Sequence, residues 1–181
     1  MEYIKTDIDG LWIIDPKVIK DERGYFMEVF KKTEFEQKIG KIDFIQDNES
    51  QSSFGILRGF HDQEGEAAQA KLVRVIKGKI WDVAIDVRKN SSTFGKHVGI
   101  ELSEENKRQF FIPRGFLHGF LVLSETAVFS YKVDNTYSPA HERTINCMDP
   151  DLAIQWPLDN SQIRMSEKDQ LGKPFKEIIS R

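Results

Sequence analysis

In "GILRGFHDQ", Gly55 to Gln63, an arginine and a histidine, Arg58 and His61, stand three positions apart among apolar residues and glycines. A guanidinium can grip a phosphate or carboxylate with two parallel N–H donors, and an imidazole takes up a proton near neutral pH. A surface ion pair and a satisfied core histidine would account for the two equally well. Three further polar groups share strand parity with apolar neighbours: Lys71 with Val73 and Val75, His118 with Phe120 and Val122, and Tyr131 with Phe129 and Val133. In extended chain each would point to the face of its neighbours. A cation, a second imidazole and a phenol turned into one cavity could move protons; the same residues could be a snorkelling lysine, a hydrogen-bonded core histidine and a core tyrosine. Asp169 lies in "SEKD", where Ser166 and Asp169 form the S-x-x-D pattern of a helix start. His97 and His141 sit among polar neighbours and read as solvated.

The elements that must carry these groups have a period close to two. In "KIWDVAIDVR", Trp81, Val83, Ile85 and Val87 alternate with Asp82, Ala84, Asp86 and Arg88, which predicts a strand with one buried face. "IKGKI" before it predicts a tight hairpin turning at Gly78. "KLVRVI", "HVGIELS", "QFFIP", "GFLVLS" and "AVFSYKV" follow the same pattern between short turns, and "KKTEFEQKIG" and "SEKDQ" predict two short helices. Many short strands with glycine and proline punctuation predict an all-β fold, a jelly-roll barrel around a central cavity with a few short peripheral helices, formed by residues 1–181 as one domain.

Composition narrows the function classes. The 181 residues are 39% hydrophobic with a net charge of −3, enough for a core and no signature of a nucleic-acid or anionic-membrane binder. There is no signal-peptide pattern at the N-terminus and no long apolar run, which predicts a cytoplasmic protein. One cysteine, Cys147, excludes an internal disulfide. Neither a His-X-His pair nor a second carboxylate accompanies His61, so the spacing supplies no metal ligand set.

The chain resembles the dTDP-4-dehydrorhamnose 3,5-epimerase family through "DERGYFMEVF", "FIQDNES", "GILRGFHDQ", "AQAKLVRVIKGKIWDVAIDVRKNSSTFG", "FFIPRGFLHGF", "YKVDNTYSP", "DPDLAIQWP" and "SEKDQ", in that order from about residue 10 to about residue 170. The resemblance implies a cupin-type jelly roll, a homodimer, and catalysis without metal or nicotinamide. The implied reaction inverts C3 and C5 of dTDP-4-dehydro-6-deoxy-D-glucose on the route to dTDP-L-rhamnose. Both carbons flank the C4 ketone, so each can lose its proton to a base if the enolate oxygen is stabilised, and regain one from the other face.

By the same resemblance His61 is the base, Asp169 the carboxylate that holds it, Tyr131 the acid, and Lys71 the cation at the enolate oxygen. His118 is a supporting cavity histidine. Arg58 should grip the diphosphate, with Gly59 leaving room for its approach; Arg23, Phe26, Glu28, Gln46 and Asn48 should meet the nucleotide. The sequence departs from the family in two places. Asp62 follows the base where the family commonly has tyrosine, and Cys147 replaces a common tryptophan; both are expected at the rim, with Asp62 facing solvent. A relative that inverts one carbon, a binding barrel without catalysis and a metal-dependent cupin remain the alternatives.

Overall fold

The computed structural model describes residues 1–179. Its strands are β1 (Glu2–Lys5), β2 (Trp12–Asp15), β3 (Ile19–Asp21), β4 (Gly24–Phe26), β5 (Gln46–Ser53), β6 (Leu57–Gln63), β7 (Lys71–Lys77), β8 (Lys79–Asp86), β9 (His97–Ser103), β10 (Gln109–Ile112), β11 (Phe116–Val122), β12 (Thr126–Val133) and β13 (Glu142–Thr144). Three short helices accompany them: α1 (Lys32–Lys38), α2 (Glu167–Gln170) and α3 (Lys176–Ile179). The fold is mostly sheet, as the period-two pattern predicts.

Two antiparallel sheets carry the architecture, with strand orders β1-β2-β10-β7-β12-β5 and β13-β6-β11-β8-β9. Among the described strands they are hydrogen-bonded separately rather than as one closed ring. Inward side chains of both, including Val73 and Val75 of β7, Ile80 and Ala84 of β8, and Phe120 and Phe129, form the core between them. A second apolar layer covers the outer face of the five-stranded sheet, where Leu57, Phe60, Leu117 and Leu121 meet Cys147, Leu152 and Phe175 of the C-terminal segment. Helix α1 seals a third, placing Phe35 against Phe111 at a ring-centroid distance of 5.2 Å. The helix ends as predicted at Gly40, whose φ of +128° suits a residue without a side chain.

Two local expectations fail. "IKGKI" is not a hairpin: β7 pairs with β10 and β12, whereas β8 pairs with β9 and β11. Gly78 instead carries the chain from one sheet to the other, with φ +80° and no room for a Cβ, which would lie 2.1 Å from the Thr126 carbonyl oxygen. Strand β8 is also buried on both faces. Asp82 and Asp86 are both 0% exposed, because each is hydrogen-bonded to protein side chains rather than to water. Asp86 accepts from Arg88, Ser91 and Thr93 and so anchors the loop that follows it.

Candidate active site

A cavity of about 580 Å³ opens between the sheets and brings together Arg58, His61, Lys71, His118, Tyr131 and Asp169. Strands β6 and β11 of the five-stranded sheet supply Arg58, His61 and His118; β7 and β12 of the facing sheet supply Lys71 and Tyr131. Asp169 enters from α2.

Residues three apart on a regular strand point to opposite faces. Arg58 and His61 both line the cavity because β6 is bulged: His61 lies opposite His118 and Arg58 opposite Phe120, so β6 spends one residue more than β11 between the same two rungs. Gly59 makes this possible. It has φ +126°, and a Cβ there would lie 2.6 Å from the Gly119 Cα. The glycine beside Arg58 therefore makes room for the neighbouring strand.

The His61 Nε2 lies 2.6 Å from Asp169 Oδ1. An ionised carboxylate only accepts, so Nε2 carries the hydrogen, and in the neutral form of the ring Nδ1 has the lone pair. Ser166 also caps α2, accepting the Asp169 N–H at 3.2 Å. The two roles weighed for Asp169 thus divide: its backbone completes the cap while its side chain holds the histidine. Burial opposes ionisation of Asp169, but hydrogen bonds from His61, Ser166 and the Gly59 N–H outweigh it and hold the carboxyl below its ordinary value.

On the facing wall, burial lowers the Lys71 pKa against the opposing fields of Asp62, Asp82 and Glu142. Burial raises that of Tyr131, with Arg58 pulling the other way, so the phenol keeps its proton at neutral pH. Arg58 is exposed, its Nε donating to Ser52 Oγ at 2.9 Å, which leaves the rest of the guanidinium available to an anion.

The nucleotide group divides. Gln46 and Asn48 join side chains at 2.7 Å on β5, on the same face as Ser50, which lines the cavity. Arg23, Phe26 and Glu28 do not line this chain's cavity. Arg23 is ion-paired with Asp21 at 2.6 Å, Phe26 is 67% exposed at the end of the β3–β4 hairpin, and Glu28 faces Lys31. Neither departure from the family pattern is at a rim. Asp62 is buried and accepts a fork from Arg143, its cross-strand partner on β13, which also reaches Glu64 at 2.9 Å. A carboxylate turned away from the cavity was expected in water; the half-buried arginine gives it an ionic partner instead. Cys147 is 1% exposed within the apolar layer behind the sheet.

One residue behind the cavity wall escaped the sequence reading. Asp82 accepts from His118 Nε2 with both oxygens at 3.0 Å. Its parity with Ile80 and Ala84 was the available signal, but an aspartate in an alternating strand reads first as the solvent face. Lys168, paired with Glu142 at 2.6 Å, lines the cavity itself and was not anticipated either. Among the described residues no three His, Cys, Asp or Glu side chains come together as a metal site.

Comparison with known proteins agrees with this geometry. A family model described as dTDP-4-dehydrorhamnose 3,5-epimerase matches residues 5–177. The enzyme of that name from Methanothermobacter thermautotrophicus is 51% identical over 97% of this chain and 95% of its own. The crystal structure of the dTDP-4-dehydrorhamnose 3,5-epimerase from Elizabethkingia anophelis superposes with a TM-score of 0.94 at 52% identity, covering 98% of this chain and 97% of that one. A Legionella pneumophila epimerase solved in complex with dTDP-4-keto-L-rhamnose gives 0.93 at 49% identity, covering 97% and 93%. The chain belongs to the dTDP-4-dehydrorhamnose 3,5-epimerase family.

Proposed function

We propose that this protein inverts C3 and C5 of dTDP-4-dehydro-6-deoxy-D-glucose to give dTDP-4-dehydro-L-rhamnose, the 4-keto precursor of dTDP-L-rhamnose. The observation that carries the proposal is the His61–Asp169 pair on one wall of the cavity, facing Lys71 and Tyr131 on the other.

His61 Nδ1 removes the proton from the carbon beside the ketone, and the C–H electron pair moves through the new C=C bond onto the C4 oxygen. Lys71 places its charge against that oxygen; one such donor is worth about 2.7–4 kcal/mol in comparable sites. Tyr131 returns a proton from the opposite face as the enolate collapses; the tyrosinate is then reprotonated from solvent, and the His61 imidazolium releases its proton to solvent. Repeating the cycle at the second carbon completes the isomerisation with no net redox change, and no step as written calls on nicotinamide or a metal.

Arg58 binds the diphosphate, and Gln46 and Asn48 extend the site along β5 toward the nucleotide. Arg23, Phe26 and Glu28 serve the cavity of a second copy in a homodimer. The exposure of Ile19, Tyr25 and Phe26 on the β3–β4 hairpin supports this, since a partner would cover them. The proposal includes a single cupin-type jelly-roll domain acting in the cytoplasm.

The test is an NMR spectrum of the product formed from dTDP-4-dehydro-6-deoxy-D-glucose. Inversion at both carbons supports the double epimerase. Inversion at one reassigns the chain to a mono-epimerase, and binding without turnover reassigns it to a sugar-nucleotide carrier.

A further inference from the structure

The cavity wall contains a second imidazole–carboxylate pair, His118 of β11 lining the cavity and Asp82 of β8 buried behind it. His118 lies directly opposite His61 across the β6–β11 ladder, and its Nε2 is clamped by both oxygens of Asp82 at 3.0 Å. Asp82 is 0% and His118 6% exposed, so this pair is built into the wall between β8 and β11. From this geometry we infer that Asp82 is a positioning residue for the proposed reaction: it fixes His118 as the Nε2–H tautomer and so presents the Nδ1 lone pair to a hydroxyl of the sugar.

The argument runs from donors and acceptors. A carboxylate accepts, which assigns the hydrogen to Nε2, and a neutral ring then has a bare Nδ1. Burial, together with the nearby Lys71 and His61, favours the neutral ring, although Asp82 opposes it. Among the described residues no buried side-chain nitrogen or oxygen lacks a partner, so a bare Nδ1 on this cavity-lining ring is open to the cavity. The sugar's hydroxyl hydrogens are the donors it suits. With Lys71 and Tyr131 both donating from the facing wall, an acceptor here gives the ring a second fixed point while His61 acts on its C–H bonds.

The role of Asp82 rests on the epimerase reading, and the experiment separates the two. Solvent exchange at H3 and H5 of the substrate is first measured with the parent; no exchange there defeats the epimerase reading itself. With exchange established, nitrogen NMR of the ¹⁵N-histidine-labelled protein reads the tautomer of His118 in the parent and in Asp82→Asn, whose amide can donate where the carboxylate accepted. The expected result is a protonated Nε2 and bare Nδ1 in the parent, a shift toward the Nδ1–H tautomer in the variant, and a kcat lower by about 10- to 100-fold with KM little changed. A parent in the Nδ1–H form, or a variant with parental kcat, overturns the inference. Should Asp82→Asn not fold, His118→Gln carries the kinetic arm: the same loss in kcat is expected, and a parental kcat overturns the inference.

Discussion

His61 and His118 face each other across the β6–β11 ladder, and each gives its Nε2 to a buried aspartate, Asp169 at 2.6 Å and Asp82 at 3.0 Å. The two pairs differ in access. The His61 side chain is 30% exposed and that of His118 7%, so the first can meet a reacting carbon while the second belongs to the wall. This division of labour organises the predictions below.

Asp169 links activity to acid stability. Its carboxyl is held below the ordinary value in the folded chain, so the unfolded chain binds the extra proton first as pH falls. The stability it contributes is complete above the ordinary carboxylate pKa and is lost as pH drops through the lowered folded value. Asp169→Asn should flatten the acid limb of a urea-unfolding series in part, since Asp86 and Glu142 are lowered in the same direction. It should also reduce kcat by as much as about 10⁴-fold, because an amide can hold His61 in the wrong tautomer. An unchanged acid limb or near-parental kcat contradicts the assignment.

Lys71 should trade stability for activity. Burial lowers its pKa, so the fold carries the charged form at a cost, and stability from this group rises as pH climbs from the lowered value toward that of an ordinary lysine. Lys71→Met is expected to keep or raise the Tm at neutral pH while kcat/KM falls by about 10²- to 10³-fold. A fall in Tm with activity retained would make the lysine structural.

Gly59 is the hinge of the site. Gly59→Ala places a methyl 2.6 Å from the Gly119 Cα and 2.8 Å from the His118 carbonyl oxygen, at φ +126°. Gly40 has nearly the same φ, +128°, and nothing within 4 Å, so Gly40→Ala measures the backbone strain alone. The excess destabilisation of Gly59→Ala over Gly40→Ala should be about 1–3 kcal/mol, with activity lost in the folded fraction as the bulge shifts. Equal effects in urea unfolding would show that the close approach is not required.

Much of this site was readable from alternation alone. Parity on β7, β11 and β12 places Lys71, His118 and Tyr131 inward, because one residue per rung on a regular strand preserves a face. Where the rung count breaks, the reading breaks: the bulge at Gly59 is invisible to a period-two template, so spacing alone left Arg58 and His61 unplaced. Asp82 and Asp62 were misread for another reason. A buried carboxylate is stabilised by a partner remote in sequence, His118 for one and Arg143 for the other, and no local pattern announces that partner. Gly78 has the composition of a hairpin turn, but which sheet the next strand joins depends on long-range pairing. The catalytic identities came from the family resemblance, and the fold then brought those residues to one cavity.

The most direct measurement is proton NMR of dTDP-4-dehydro-6-deoxy-D-glucose in deuterated water, with the parent and with His61→Asn. Loss of both the H3 and H5 signals with the parent, and a rate at least about 10²-fold lower at both with the variant, is the predicted result. Equal exchange by the two proteins would contradict His61 as the base. Persistence of both signals with the parent would contradict the reaction itself.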